Sequence, residues 1–159
     1  MASQSTTLFG YQVAGRTGST AVLQAPSRDT GGKVRTLTDS FTTTSAVTAG
    51  SQTITLGVLP VGAKVVSAEL LVPASVGTSS AKLGYFTIDS AGAITSTGDD
   101  DRWGSAVDLS AVGRKQFLIT AADADYVTTS EVAVVLSPVT TNFATAITFT
   151  FIIQYVVTS

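Results

Sequence analysis

The segment 144–159 constrains the fold more than any other part of this sequence, because its apolar and polar residues alternate. One set of alternate positions is apolar and consists of Ile147, Phe149, Phe151, Ile153, Tyr155 and Val157. The positions between them are Ala146, Thr148, Thr150, Ile152, Gln154 and Val156. A period of two in β-branched and aromatic residues is typical of a strand with one buried face. A strand of about twelve residues would span roughly 40 Å, about twice the usual length. We therefore expect it in the middle of a β-sandwich.

Shorter alternating segments recur along the rest of the chain, with turn residues between them. They predict strands over 34–42, 53–59, 64–72, 81–89, 93–97, 115–120, 125–129 and 131–137. No segment shows a helical period, and at most 105–113 could form a single helical turn. Many short strands without interleaved helices predict an all-β fold, an antiparallel β-sandwich or jelly roll of about eight strands.

The first part of the chain has a different composition from the rest. Residues 1–32 are rich in Gly, Ser and Thr, and their few apolar residues include Phe9 and Tyr11. Such a segment has little to bury by itself. We therefore predict an extended N-terminal arm over 1–32 and a β-sandwich (jelly-roll) domain over 33–159. Phe9 and Tyr11 are the expected anchors if the arm lies on its own body or on a neighbour.

The composition of the 159 residues restricts the chemistry that the chain can perform. There is no cysteine and no histidine, which excludes disulfides, thiolate ligands and a Ser-His-Asp triad. Charged residues make up 13% of the chain, against roughly 25% in an ordinary soluble domain. A surface with so few charges is poorly protected against association, so we expect neighbouring proteins to cover much of it.

The net charge of −2 is unevenly distributed. Residues 1–35 hold four cations and one anion, a balance of +3, which leaves −5 for 36–159. Four scattered cations are a poor footprint for nucleic acid, because phosphate-driven affinity grows with the number of contacts. We therefore expect no nucleic-acid binding. We also expect no membrane-spanning helix, because no apolar run approaches the roughly 20 residues that such a helix needs. The N-terminus lacks the features of a signal peptide, which predicts synthesis in the cytoplasm without secretion.

The segment 97–104 contains the sharpest local features of the sequence. Asp99, Asp100 and Asp101 are consecutive, and we interpret them as an acidic loop. They could help to hold a hard cation such as calcium, or their charge could keep a sheet edge from pairing. Arg102 and Trp103 follow, and both residue types are enriched at binding hot spots. The alternative for Trp103 is that it packs against the chain's own core.

Conventional catalytic patterns are not visible in the sequence. Asp123 and Asp125 are a pair of carboxylates, which glycoside hydrolysis would need on opposite sides of a sugar. They lie two positions apart in a segment that leads into a strand, where turn capping is the alternative. The Gly-rich segments match no phosphate-binding motif. We therefore predict no enzyme activity, no catalytic residue, no cofactor, no metal ligand and no small-molecule substrate.

The segment 56–70 carries a family resemblance. It reads as a strand, a Leu-Pro-x-Gly-Ala turn at 59–63, and a second strand beginning Lys-Val-x-x-Ala. Together with the hairpin at 85–92 and the β-rich C-terminus, this resembles the head decoration, or cement, proteins of tailed bacteriophages. The resemblance covers 33–159. It implies a β-sandwich or jelly-roll body, often trimeric, with arms that reach onto neighbouring capsid proteins, and it implies no catalytic residues.

The hypothesis is therefore a structural virion protein that decorates and stabilises a phage head. It would form a homotrimer on the head surface and bind between major capsid proteins. The residues predicted to contact the capsid or another subunit are Phe9, Tyr11, Arg16, Arg102 and Trp103. Two alternatives remain open: a carbohydrate-binding β-sandwich of a phage fibre that uses Trp103 and the acidic loop, and a head–tail connector or tail component.

Overall fold

The computed structural model describes residues 3–5, 34–72, 76 and 79–158, and of 3–5 it describes the backbone alone. The strands are β1 (Ser3–Ser5), β2 (Arg35–Thr42), β3 (Thr53–Leu59), β4 (Ala63–Val72), β5 (Ser80–Ile88), β6 (Ile94–Asp108), β7 (Gly113–Gln116), β8 (Val132–Pro138) and β9 (Thr148–Val157). One short helix, α1 (Ala121–Ala124), lies between β7 and β8. None of the helical segments in these ranges is long and apolar enough to cross a membrane.

The strands form two sheets with the winding of a jelly roll. One sheet has the order β1-β3-β8-β5-β6 and the other the order β2-β9-β4-β7. Strand β2 pairs with β9, β3 with β8, β4 with β7 and β5 with β6, all antiparallel. These nested pairs are those of one long hairpin rolled into two facing sheets. The predicted fold, an antiparallel jelly roll of about eight strands, is confirmed for β2 to β9.

The long terminal strand lies where its pattern predicts. Strand β9 runs between β2 and β4 in the middle of its sheet. Its side chains Phe149, Phe151 and Ile153 point into the core and are almost completely buried. The strand has ten residues rather than the expected twelve or so. The apolar positions of the opposite sheet, among them Ile54, Leu83 and Leu136, close the core from the other side.

Strand β6 differs most from the sequence expectation. The predicted strand 93–97 followed by a loop is wrong, because β6 continues over 15 residues to Asp108. Its pairing with β5 shifts register several times. Gly98 and Gly104, at φ of 155° and 157°, lie within this irregular stretch. Register shifts interrupt the alternation of side chains, so a long bulged strand loses the period of two by which strands are recognised.

The connection between β7 and β8 also differs. The predicted strand 125–129 is wrong, and the helical turn forms at α1 rather than at 105–113. Thr120 caps the helix by accepting a hydrogen bond from the backbone N–H of Asp123. Beyond the helix, the Thr128 hydroxyl accepts from the Ala63 backbone N–H at 2.8 Å and donates to the Pro60 carbonyl at 2.6 Å. Because these bonds hold 128 beside the β3–β4 turn, the segment does not extend as a strand.

The predicted arm over 1–32 lies outside the described residues, except for β1. The backbone of Ser3–Ser5 pairs parallel with β3, from Ser3 opposite Thr53 to Ser5 opposite Thr55. The start of the chain is therefore placed at the edge of the β3-β8-β5-β6 sheet.

Candidate functional site

Three aromatic side chains meet where β5, β6 and the segment after α1 come together. We call Tyr85, Trp103 and Tyr126 the aromatic cluster. The Tyr85 and Tyr126 rings stack, with their centroids 5.1 Å apart. The Trp103 ring lies tilted at 5.8 Å from Tyr85 and 6.5 Å from Tyr126. These distances are typical of favourable aromatic pairs, so the cluster joins three separate parts of the chain.

Arg102 lies over the outside of the aromatic cluster and is engaged on several sides. Its guanidinium carbon is 4.6 Å from the centroid of the Tyr126 ring, in cation–π geometry. One guanidinium nitrogen, Nη1, is 3.4 Å from a carboxylate oxygen of Asp99 and 3.7 Å from one of Asp123. The charge of Arg102 therefore ties α1 to β6, and its side chain is largely occupied inside its own subunit.

The carboxylates of Asp123 and Asp125, which the sequence suggested as a pair, have different partners in the structure. Asp123 faces Arg102. Asp125 lies just beyond the helix and accepts a hydrogen bond from the Lys64 ammonium at 3.0 Å. Each carboxylate has its own cation, so the pair lacks the facing arrangement that glycoside hydrolysis requires.

The acidic segment 99–101 belongs to β6, so the interpretation as a loop is wrong. Asp100 lies 2.8 Å from the Lys82 ammonium, whereas Asp99 pairs with Arg102. A hydrogen bond with Asp99 raises the pKa of Asp101, to which burial and the negative charge of Asp99 add. Among the residues that the structure describes, no cluster of three or more carboxylates is arranged to hold a metal ion.

Trp103 lies entirely within the chain. Its exposed fraction is 0%, and it belongs to the same cluster of core residues as Leu83 and Phe117. Its indole N–H has no hydrogen-bond partner among the described residues. The alternative stated for this residue, packing against its own core, describes its position. The indole face is therefore not available to stack on a sugar in this conformation.

The aromatic cluster is suited to a structural role. The pKa of the Tyr126 phenol is raised, first by burial and then by a hydrogen bond with Tyr85, so the hydroxyl stays protonated around neutral pH. Sequence reasoning identified Arg102 and Trp103 but missed the two tyrosines. The inward parity of Tyr85 in β5 was a usable signal. Tyr126 gave none, because its position depends on α1.

A shallow groove opens beside β7, at the edge of the β2-β9-β4-β7 sheet. It encloses about 240 Å³ and is lined by Val66, Ser67, Gln116, Phe117, Leu118 and Ile119. The Leu118 side chain is 80% exposed. Val66 and Leu71 on β4 and Val112 before β7 are also exposed. We call these four exposed side chains the β7-edge patch. They lie on β4 or beside β7, and exposed apolar side chains are candidates for contact with another protein.

The predicted contact residues in the arm, Phe9, Tyr11 and Arg16, lie outside the described residues. The structure therefore places only Arg102 and Trp103 of the five.

Comparison with known proteins relates the fold to phage capsids. A chain from the capsid of Ralstonia phage GP4 superposes with a TM-score of 0.69 at 22% identity, over 99% of both chains. A chain from the capsid asymmetric unit of cyanophage Pam1 superposes with a TM-score of 0.55 at 21% identity, over 87% of this chain and 95% of that one. No family model and no curated protein matches the sequence. The resemblance to phage head proteins is thus confirmed at the level of the fold.

Proposed function

We propose that this chain is a structural protein of a phage head, and that it decorates and stabilises the shell by binding between major capsid proteins. The observation that carries the proposal is the fold shared from end to end with a chain of a phage capsid, over 99% of both chains. The chain would act as a jelly-roll unit of the virion.

The exposed face of the β2-β9-β4-β7 sheet supports a role in adhesion. Its outward positions on β2 are hydroxyl side chains: Thr36, Thr38, Ser40 and Thr42. Ser40 and Thr42 hydrogen-bond the hydroxyls of Thr150 and Thr148 on β9, at 2.7 and 2.8 Å. The β2–β9 part of this face can therefore approach another protein without a large cost of desolvating charge, whereas the β4–β7 part carries the Glu69–Arg114 ion pair.

In the proposed mechanism, three copies form a homotrimer at a junction of capsid subunits on the head surface. Each copy would add modest contacts through the β7-edge patch and the arm residues Phe9, Tyr11 and Arg16. Linked weak contacts gain strength from effective concentration, so the assembly would hold firmly even though each contact is weak. The shell would then resist the internal pressure of packaged DNA.

Co-sedimentation with expanded phage heads that lack this protein tests the proposal. The purified chain should sediment with the heads and saturate at a fixed number of copies. Leu118→Asp places a charge in the β7-edge patch and should weaken binding, whereas Ala91→Asp in the exposed β5–β6 turn should not. If the unmodified chain stays in the supernatant, the proposed decoration of heads is wrong.

A further inference from the structure

Two threonines, Thr43 and Thr128, each bind a turn of the chain in the same way. The turn 60–63 leads into β4, and the turn 144–147 leads into β9. These strands are antiparallel neighbours, and the first residue of β4 lies opposite the last residue of β9. The two turns are therefore at opposite ends of the β2-β9-β4-β7 sheet.

Thr128 holds the turn 60–63 through both its side chain and its backbone. Its hydroxyl donates to the Pro60 carbonyl at 2.6 Å and accepts from the Ala63 N–H at 2.8 Å. Its backbone N–H donates to the Ala63 carbonyl at 2.9 Å, and its carbonyl accepts from the Gly62 N–H at 2.8 Å. Thr128 thus makes four hydrogen bonds to one turn, an arrangement that we call a threonine clasp.

Thr43 makes the same four hydrogen bonds to the turn 144–147. Its hydroxyl donates to the Ala144 carbonyl at 2.6 Å and accepts from the Ile147 N–H at 3.0 Å. Its backbone N–H donates to the Ile147 carbonyl at 2.9 Å, and its carbonyl accepts from the Ala146 N–H at 2.7 Å. Each bond joins corresponding atoms of corresponding residues, so the two clasps are a structural repeat.

The two clasps differ at the third residue of the turn. In both turns that residue has a positive φ, 78° at Gly62 and 61° at Ala146. Glycine adopts this backbone conformation without strain, whereas the Cβ of alanine makes it unfavourable. Among the residues that the structure describes, Ala146 is the only one other than glycine with a positive φ. The Thr43 clasp is therefore strained at the point where the Thr128 clasp is relaxed.

The strained clasp also lies between two connections of the chain. Beyond Thr43, the backbones of Val47 and Phe143 exchange two hydrogen bonds at 2.9 and 3.0 Å. The Asn142 side chain accepts a further hydrogen bond from the Ala49 N–H at 2.9 Å. These bonds and the clasp join the β2–β3 connection to the β8–β9 connection, so opening of the clasp loosens both.

We propose that the Thr43 clasp is a conformational device that opens before the Thr128 clasp, because the strain at Ala146 opposes its closure. The strain of one alanine in this conformation corresponds to a factor of roughly 5–30 in an equilibrium constant. The end of the jelly roll that carries the Thr43 clasp therefore changes shape more readily than the other end. Strained residues of this kind are common in switch regions of proteins. This inference concerns the isolated protein and does not rest on the proposed function.

Amide hydrogen exchange of the full-length protein, followed by NMR, tests the proposal. Ile147 and Ala63 supply the matched amides, because each donates to the hydroxyl of its threonine. The protection factor of the Ile147 amide should be at least about fivefold lower than that of Ala63, because it exchanges through local opening of the strained clasp. Equal protection of the two amides, or the reverse order, would overturn the proposal.

Ala146→Gly relieves the strain and leaves the hydrogen bonds of the clasp in place. It should raise the protection factor at Ile147 at least about fivefold and leave that at Ala63 unchanged. The matched control is Ala144→Gly, which places a glycine in the same turn at a residue without a positive φ and should not raise protection. If Ala146→Gly raises protection no more than Ala144→Gly does, strain does not control the clasp and the proposal is wrong.

Thr43→Val tests whether the two connections open as one unit, because it removes the hydroxyl and keeps the shape of the side chain. The Val47 and Phe143 amides donate to each other's carbonyls and not to the hydroxyl. Their protection factors should nevertheless fall together in this variant and by a similar factor. Unchanged protection at either amide would contradict opening as one unit. Circular dichroism of each variant checks that the β-rich fold is retained.

Discussion

Trp103 shows how one side chain joins the core of this protein to its charged edge. The indole is buried against Tyr85 and Tyr126, and the next residue in sequence, Arg102, pairs with Asp99 and Asp123. Aromatic packing and ion pairing therefore depend on the same short part of β6. The packing carries most of the stability, since half-exposed ion pairs contribute little.

Replacing Trp103 separates packing from hydrogen bonding. Trp103→Ala should lower the free energy of unfolding by about 3–5 kcal/mol, because it leaves a large cavity. Trp103→Phe should cost only about 1–2 kcal/mol, because it keeps most of the apolar volume and removes a donor that has no partner. Urea unfolding followed by far-UV circular dichroism measures both. Equal costs for the two variants would contradict the packing described for this residue.

The raised pKa of Asp101 fixes the sign of its effect on the free energy of unfolding as pH changes. Its pKa is raised in the folded state, so the folded protein binds the proton more tightly and loses stability as pH rises above the ordinary value. Asp101→Asn should therefore be more stable than the unmodified protein at neutral pH. The gain should be well under about 1 kcal/mol, because the side chain is exposed and screened by solvent. It should vanish below the ordinary carboxyl value of 3.8.

Asp108 is the matched control for that prediction. Hydrogen bonds from the backbone and side chain of Ser110 lower its pKa in the folded state. Its contribution to stability is therefore present above the ordinary pKa and is lost as pH falls. Asp108→Asn should destabilise the protein at neutral pH, and the difference should shrink in acid. Thermal unfolding across a pH series measures both variants, and the same sign for the two would contradict the assigned causes.

At the scale of elements, the β5–β6 pair is the least regular part of the fold. The two backbones approach so closely at Gly84 that a Cβ there would lie 2.1 Å from the Asp99 carbonyl oxygen. Only a residue without a side chain permits this approach. The irregular pairing positions Asp99, Asp100 and Arg102 for their separate partners.

A methyl group at Gly84 should therefore force β6 away from β5. Gly84→Ala should destabilise the protein by more than about 2 kcal/mol, because the obstacle is backbone that cannot rotate away. The control is Gly50→Ala, where a Cβ meets nothing within 4 Å and only the positive φ of 74° is strained. That strain costs about 1–2 kcal/mol. Denaturant unfolding compares the two, and a smaller loss at Gly84 than at Gly50 would refute the close approach.

The same elements show what the sequence could and could not predict. Strands β3, β4 and β9 were predicted closely, because apolar residues recur at alternate positions in their sequences. The pairings of β3 with β8 and of β4 with β9 each contain a single register shift, which leaves most of that pattern intact. Strand β6 was not, because its register shifts break that alternation. The aromatic cluster is formed from residues 85, 103 and 126, which are distant in sequence. Only the folded chain brings them together, so the sequence indicated Trp103 without indicating its partners.

At the scale of the whole molecule, the two outer faces of the jelly roll have different roles in this account. One is an exposed face of hydroxyl side chains, with the β7-edge patch at its border. The other is the outward side of β3, β8 and β5, where Val58, Ala133 and Phe86 are buried. Surfaces open to neighbouring proteins are therefore concentrated on the β2-β9-β4-β7 side.

The proposed homotrimer predicts a definite mass in solution. Native mass spectrometry of the purified chain should give three times its 16.2 kDa. Leu118→Asp should shift the population toward the monomer if the β7-edge patch lies between subunits, and Ala91→Asp should leave it unchanged. A chain that stays monomeric at high concentration would contradict the trimer while leaving the fold intact.

Cryo-electron microscopy of heads incubated with the purified chain tests the central claim most directly. The account predicts extra density on the outside of the shell, into which the jelly roll fits, repeated at equivalent junctions between major capsid proteins. Bare shells at saturating protein, or density for this chain confined to a tail or a fibre, would contradict it.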